Sequence, residues 1–101
     1  MNTWRPISKV ELEELLKVQL AECLPEQREL FEKYCVPPYK VPIHRLDGVE
    51  EVYVVAKFPF GVLYYEDVEE GFEVDLIGED GAIPKQGCNQ YELKHVLSQH
   101  V

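Results

Sequence analysis

The sequence predicts an α+β fold with two N-terminal helices, a four-stranded antiparallel β-meander and a C-terminal helix, and with the helices packed on one sheet face. Apolar residues recur at three- and four-residue spacing near both ends of the chain, which is the period of an amphipathic helix. The middle stretch, residues 41–77, is rich in β-branched and aromatic residues, and turn residues interrupt it at three places. Those turns divide the stretch into four strands.

The first helix is predicted by the residues at its start. Ser8 stands three positions before Glu11, which is the spacing of a capping box. Ile7 can pack against Leu12 as a hydrophobic staple and so hold the entering chain in place. The predicted apolar face of this helix consists of Leu12, Leu15, Leu16, Leu20, Cys23 and Leu24.

Prolines mark the limits of the second helix. Pro25 suits a first helical turn, whereas a residue before Pro37 or Pro38 is kept out of the helical conformation. The helix is therefore predicted to begin at Pro25, and residues 36–40 are expected to form an extended connector. Its apolar side consists of Leu30, Phe31 and Tyr34.

A second capping-box pattern predicts the C-terminal helix. Asn89 stands three positions before Glu92, and Cys88 can pack against Leu93 in the manner of a staple. The predicted buried stripe consists of Leu93, Val96, Leu97 and His100.

The Asp47-Gly48 dipeptide is the strongest hairpin signal in the chain, because a type I′ turn needs positive φ at both central positions. A turn there pairs Ile43 with Val52. Because side chains alternate along a strand, this pairing determines which residues share a face.

Two further turns, near residues 58–61 and 68–71, extend the same register. They pair Ala56 with Leu63, Tyr65 with Val74, and Glu66 with Glu73. We expect one apolar face, packed against the helices, made of Val41, Ile43, Val52, Val54, Ala56, Leu63, Tyr65, Phe72, Val74 and Leu76.

The opposite face of the predicted sheet carries the candidate partner-binding residues Glu51, Tyr53, Tyr64, Glu66, Glu73 and Asp75. Like charges that face each other across strands destabilise a sheet, and tyrosine is enriched in protein interfaces. No lysine or arginine occurs from Phe58 to Pro84, so the negative charge is concentrated there. These features favour a surface that binds a basic protein. The alternative is a solvated face that keeps sheets from pairing edge to edge.

Composition and charge exclude several classes of protein. A chain of 101 residues fits one domain, residues 1–101. Its net charge of −9 disfavours nucleic acid and anionic membrane surfaces as partners. The N-terminus has no apolar stretch of signal-peptide length, and no apolar run reaches the length of a membrane span, so we expect a cytoplasmic protein.

No motif commits the chain to a chemistry. Its three cysteines are an odd number without CxxC spacing, which predicts reduced thiols and no zinc site. The chain also lacks a phosphate-binding glycine loop, a GxSxG elbow and an HExxH pair. We therefore predict no catalytic residues, no metal and no cofactor.

The leading hypothesis is a non-enzymatic interaction domain of the immunity or inhibitor type, which binds a basic partner. One alternative is a small enzyme or ligand-binding domain whose pocket involves Cys88, His95 or tyrosine hydroxyls. Another is a homodimer. Burial of the tyrosine face against a second copy is disfavoured because two-fold symmetry would bring carboxylates together, whereas a dimer through an edge or a helix stays open.

Overall fold

Three helices and a four-stranded antiparallel sheet make up the described part of the chain, which confirms the predicted α+β class. A computed structural model describes residues 7–45, 48–66, 70–84 and 91–100. The elements in chain order are α1 (Lys9–Ala21), α2 (Pro25–Tyr34), β1 (Cys35–Arg45), β2 (Gly48–Phe58), β3 (Gly61–Glu66), β4 (Gly71–Asp75) and α3 (Leu93–Ser98). The strands lie side by side in the order β1-β2-β3-β4, as a meander requires.

The N-terminal helices begin where the sequence predicts. Ser8 and Glu11 form both bonds of the capping box at the start of α1, and Pro25 opens α2. Leu12 is fully buried, whereas Leu24 is largely exposed because α1 ends at Ala21 and the chain turns before α2. We predicted an extended connector at residues 36–40, but these residues form the first part of β1 instead.

The C-terminal helix begins later than predicted. Tyr91 bridges to Phe72 as an added strand residue, and Glu92 is the residue at the helix N-cap. The predicted cap, Asn89, lies outside the described residues. The predicted stripe is buried at its first three positions, whereas His100 is exposed and stacks on the ring of Phe60 with 4.3 Å between ring centroids.

The first hairpin is shifted by two residues from the predicted register. Arg45 pairs with Gly48, so Val41 and not Ile43 faces Val52. Gly48 has φ +149° and opens β2 instead of lying within the turn. The predicted turn residue Asp47 lies outside the described residues.

A β-bulge at Val55 reverses the faces of β2. Ala56 pairs with Leu63 as predicted, but on the other side of the bulge Val54 pairs with Tyr64 and Tyr53 with Tyr65. One extra residue on one strand moves every side chain beyond it to the opposite face. The single apolar face that we predicted is therefore wrong.

The third hairpin is also displaced by two residues. Leu63 pairs with Val74, and Glu66 pairs with Gly71 instead of Glu73. Leu76, predicted in the core, lies beyond the end of β4 and is 65% exposed.

Apolar side chains on the two sheet faces form separate clusters. The helix-side cluster contains residues of all three helices together with Val55, Ala56, Phe58, Leu63, Tyr65 and Phe72. The second cluster, on the other face, consists of Val41, Ile43, Val52, Val54, Val62, Tyr64 and Ile83. The second cluster thus combines Val41, Ile43, Val52 and Val54, which we predicted on the helix-packed apolar face, with Tyr64, which we predicted on the opposite polar face.

Chain segments outside the meander bond to both edges of the sheet. Ile83 bridges to Ile43 on the outer edge of β1, and Tyr91 bridges to Phe72 on the outer edge of β4. These bridges occupy backbone groups that an exposed edge strand would offer to other chains. Ile83 and Tyr91 thus lie at opposite edges of the sheet.

Candidate functional site

The six predicted partner-binding residues do not share one face. Glu51 and Tyr53 lie on the side of β2 that faces the helices, where Tyr53 packs against the helix-side cluster. The others, Tyr64, Glu66, Glu73 and Asp75, lie on the second face. The bulge at Val55 causes this separation, because it changes the alternation of β2 relative to β3.

Glu66 lies inside the protein and not on its surface. Its carboxylate accepts hydrogen bonds from both terminal nitrogens of Arg45, Nη1 to Oε2 and Nη2 to Oε1, and its side chain is 2% exposed. Arg45 also donates from Nε to Oε1 of Glu50 at 2.7 Å. The hydrogen bond with Glu66 raises the pKa of Arg45 further above its ordinary value, so the guanidinium is firmly charged.

The two tyrosines differ from their predicted exposure. Tyr64 is 2% exposed and belongs to the second cluster. Tyr53 is half-buried, and the ammonium of Lys40 lies 5.4 Å from its ring centroid. An exposed patch of Tyr53 and Tyr64 flanked by glutamates is therefore absent.

Two of the predicted acidic residues, Glu73 and Asp75, lie on β4, and Glu79 follows soon after the strand. We define the acidic surface as Glu73, Asp75, Leu76, Ile77 and Glu79. Glu73 lies opposite the buried Tyr64, and Asp75 lies opposite Val62, so both carboxylates stand over the second cluster. Asp75 accepts a hydrogen bond from the backbone N–H of Leu76 at 2.9 Å.

Large apolar side chains are exposed within the acidic surface. Leu76 is 65% exposed and Ile77 is 36% exposed. Both follow Asp75 directly, and Glu79 comes two positions later. The surface thus combines apolar area with negative charge in a span, Phe58 to Pro84, whose sequence contains no lysine or arginine.

A hydrogen bond to His44 ties Asp80, the residue that follows the acidic surface, to β1. Asp80 Oδ2 lies 2.8 Å from His44 Nε2, and Asp80 Oδ1 accepts from the backbone N–H of Ala82. The His44 contact, with help from Ala82, holds the pKa of Asp80 below its ordinary value. Backbone bonds from His44 to Ile83 and from Ile83 to Pro42 anchor the same segment to the edge of the sheet.

Sequence reasoning missed Leu76 and Ile77 as surface residues and Arg45 as the partner of Glu66. Leu76 was misplaced because the register of the third hairpin differs by two residues from the predicted one. A difference of two residues keeps each side chain on its face of the sheet, but it leaves Leu76 beyond the end of β4. The signal for Arg45 was a single arginine at the end of a strand next to a strongly acidic stretch. That signal is weak because the two residues are 21 positions apart.

The described residues contain few groups suited to covalent or metal chemistry. Burial raises the pKa of the Cys23 thiol, which donates to the backbone carbonyl of Gln19 at 3.4 Å. Within the described ranges, no group of three or more histidine, cysteine, aspartate or glutamate side chains could hold a metal ion. Cys88 lies outside the described residues, so the alternative of an enzyme site around Cys88 and His95 stays a prediction.

Comparison with protein families, with characterised proteins and with solved structures found no match. Among the described helices, none has the length and the apolar character needed to cross a membrane.

Proposed function

We propose that this protein is a non-catalytic interaction domain that binds a basic partner protein through the acidic surface. The observation that carries the proposal is the exposure of Leu76, at 65%, next to Asp75 and close to Glu79. An apolar side chain of this size gains free energy when a partner covers it. The carboxylates around it favour a partner of positive charge.

The charge of the whole chain supports the same class of partner. A net charge of −9 attracts a basic protein over distances comparable to the Debye length and speeds the encounter. Apolar contacts at Leu76 and Ile77 then slow dissociation, because they require water to re-enter a closed interface. A domain of this kind suits an immunity or inhibitor role, in which a small acidic protein covers the basic surface of a toxin or nuclease.

The test compares the wild type with a double variant, Leu76→Ser with Glu79→Lys. Both proteins are immobilised and exposed to an extract of the source cells, and captured proteins are identified and then purified. We expect the wild type to capture a basic protein whose binding weakens as salt increases. The double variant should bind that purified protein at least about tenfold more weakly, because it loses apolar area and gains a repulsive charge.

A matched control makes the same two chemical changes elsewhere on the surface. Val49→Ser with Glu32→Lys alters an exposed valine and an exposed glutamate outside the acidic surface. This control should bind the partner as the wild type does, and both double variants should keep the melting temperature of the wild type. Equal affinity of the two double variants for the partner, or capture of proteins without positive charge, would contradict the proposal.

A further inference from the structure

Helix α1 exposes apolar side chains on the face that points away from the core. Leu12 and Leu16 are buried against the helix-side cluster, as expected for one face of a surface helix. Val10 is 69% exposed and Val18 is 59% exposed, and Ala21 is also exposed. A helix with a single buried face normally carries polar residues at such positions.

Four residues on the outward face of α1 form what we call the outer stripe, in which apolar and charged positions come in the same order from either end of the helix. Val10, Glu14, Lys17 and Ala21 follow one another at spacings of four, three and four residues and lie within about 60° of one another around the helix. Glu14 and Lys17 are exposed and stand 3.6 Å apart, from Oε1 to Nζ. The stripe therefore has an apolar residue at each end and one charge of each sign in the middle.

We propose that α1 pairs with α1 of a second copy of this chain, antiparallel and about a two-fold axis. In this arrangement Val10 of each copy meets Ala21 of the other, and Glu14 meets Lys17. Two-fold symmetry repeats each contact, so Glu14 and Lys17 of both copies each meet a residue of opposite charge. The outer stripe is thus complementary to itself, although the chain as a whole is strongly acidic.

Charge also selects this register over its closest competitor. A shift that brings Val10 against Val18 would gain apolar contact, but it would place Glu14 directly against Glu14 of the other copy. Like charges at such a distance repel, so the competing register is disfavoured. The intramolecular pair of Glu14 and Lys17 becomes a four-residue network in the favoured register.

The size of the helix sets the expected strength of the dimer. Helix α1 has 13 residues, so the contact extends over about 20 Å. A single pair of helices of this length buries much less surface than the roughly 1,200 Å² that stable complexes bury. We therefore expect weak association, with a dissociation constant of about 0.1 to 1 mM.

Sedimentation equilibrium on the full chain tests the pairing by charge exchange. Wild-type protein should show a mass that rises with concentration towards that of a dimer. The single variants Glu14→Lys and Lys17→Glu should each weaken association at least about tenfold, because each turns two attractive pairs into repulsive ones. The double variant E14K/K17E exchanges the charges and should restore association to within about twofold of the wild type.

A matched control separates this surface from the general effect of net charge. Glu29→Lys makes the same change in charge as E14K at an exposed position on α2 and should associate no more weakly than the wild type. Circular dichroism should show the same helix content in all variants. A monomeric wild type up to about 1 mM, equal effects of E14K and E29K, or failure of the exchanged pair to recover association would overturn the proposal.

Discussion

Arg45 holds Glu66 through two parallel hydrogen bonds, although the strands that carry them are not neighbours in the sheet. Arg45 ends β1 and Glu66 ends β3, so the ion pair spans β2 close to Gly48, where β2 begins. The Arg45 side chain thereby links β1 to β3 across β2. Because Glu66 is almost completely buried, the pair belongs to the core and not to a binding surface.

Loss of Arg45 should strongly destabilise the fold. Arg45→Ala leaves the buried Glu66 carboxylate without its cationic partner, and we expect the free energy of unfolding to fall by about 3 kcal/mol. Urea denaturation measures the change. Glu50→Gln is the matched control, because Glu50 binds the same guanidinium from a more exposed position and should cost less than about 1 kcal/mol. Equal costs for the two variants would show that burial of Glu66 is unimportant.

Gly61 is required by the close approach of β4. A Cβ atom at this position would lie 2.8 Å from the carbonyl oxygen of Asp75, and the residue has φ +148°. Gly48 has nearly the same φ, +149°, but a Cβ atom there would meet no described atom within 4 Å. We expect Gly48→Ala to cost about 1 kcal/mol from backbone strain alone, and Gly61→Ala to cost about 2 kcal/mol more. Thermal and urea denaturation of both variants measure the difference.

Gln19 caps the C-terminal helix from a distance. Its Oε1 accepts a hydrogen bond from the backbone N–H of Leu93 at 2.7 Å, whereas Glu92, the residue at the N-cap, makes no side-chain cap. We expect Gln19→Ala to lower the free energy of unfolding by about 1 to 2 kcal/mol, because a partly buried N–H loses its acceptor. Glu92→Ala should change it by less than about 0.5 kcal/mol. Amide hydrogen exchange at α3 should rise only in the Gln19 variant, and the reverse order would contradict this assignment.

The Asp80 carboxyl should titrate below its ordinary pKa of 3.8. A depressed pKa in the folded state means that the contact contributes stability above the ordinary value and loses it as the pH falls through the folded value. In His44→Ala the pKa of Asp80 should rise towards the ordinary value, although part of the depression should remain because Ala82 still donates to the carboxylate. Carbon-detected NMR titration of the Asp80 side chain measures both values. His95→Ala serves as the control and should leave them unchanged.

The helices could be predicted because their signals are local. Ser8 and Glu11 form their capping bonds within four residues of chain, and Pro25 sets the start of α2 by its own ring geometry. The order of the strands could be predicted for the same reason, since each turn signal lies between the strands that it joins. The start of α3 could not, because its first N–H is satisfied by a residue 74 positions away.

The candidate site could be predicted only in part, because it depends on register. Residues 52–56 read Val-Tyr-Val-Val-Ala, and an apolar run without alternation does not indicate where a bulge lies. The acidic character of β4 and the segment after it was evident from the absence of lysine and arginine. The division of the carboxylates was not evident: Glu66 is an internal partner of Arg45, whereas Glu73 and Asp75 stand at the surface.

The extra residue at Val55 also affects how the protein should unfold. The first half of β2 supplies Val52 and Val54 to one cluster, and the second half supplies Val55, Ala56 and Phe58 to the other. The backbone of β2 therefore carries residues of both clusters. Loss of order in one cluster would break hydrogen bonds of β2 that also hold the residues of the other cluster in place. We expect the two clusters to melt together in a single transition, as if the bulge had joined two half-sized cores into one folding unit.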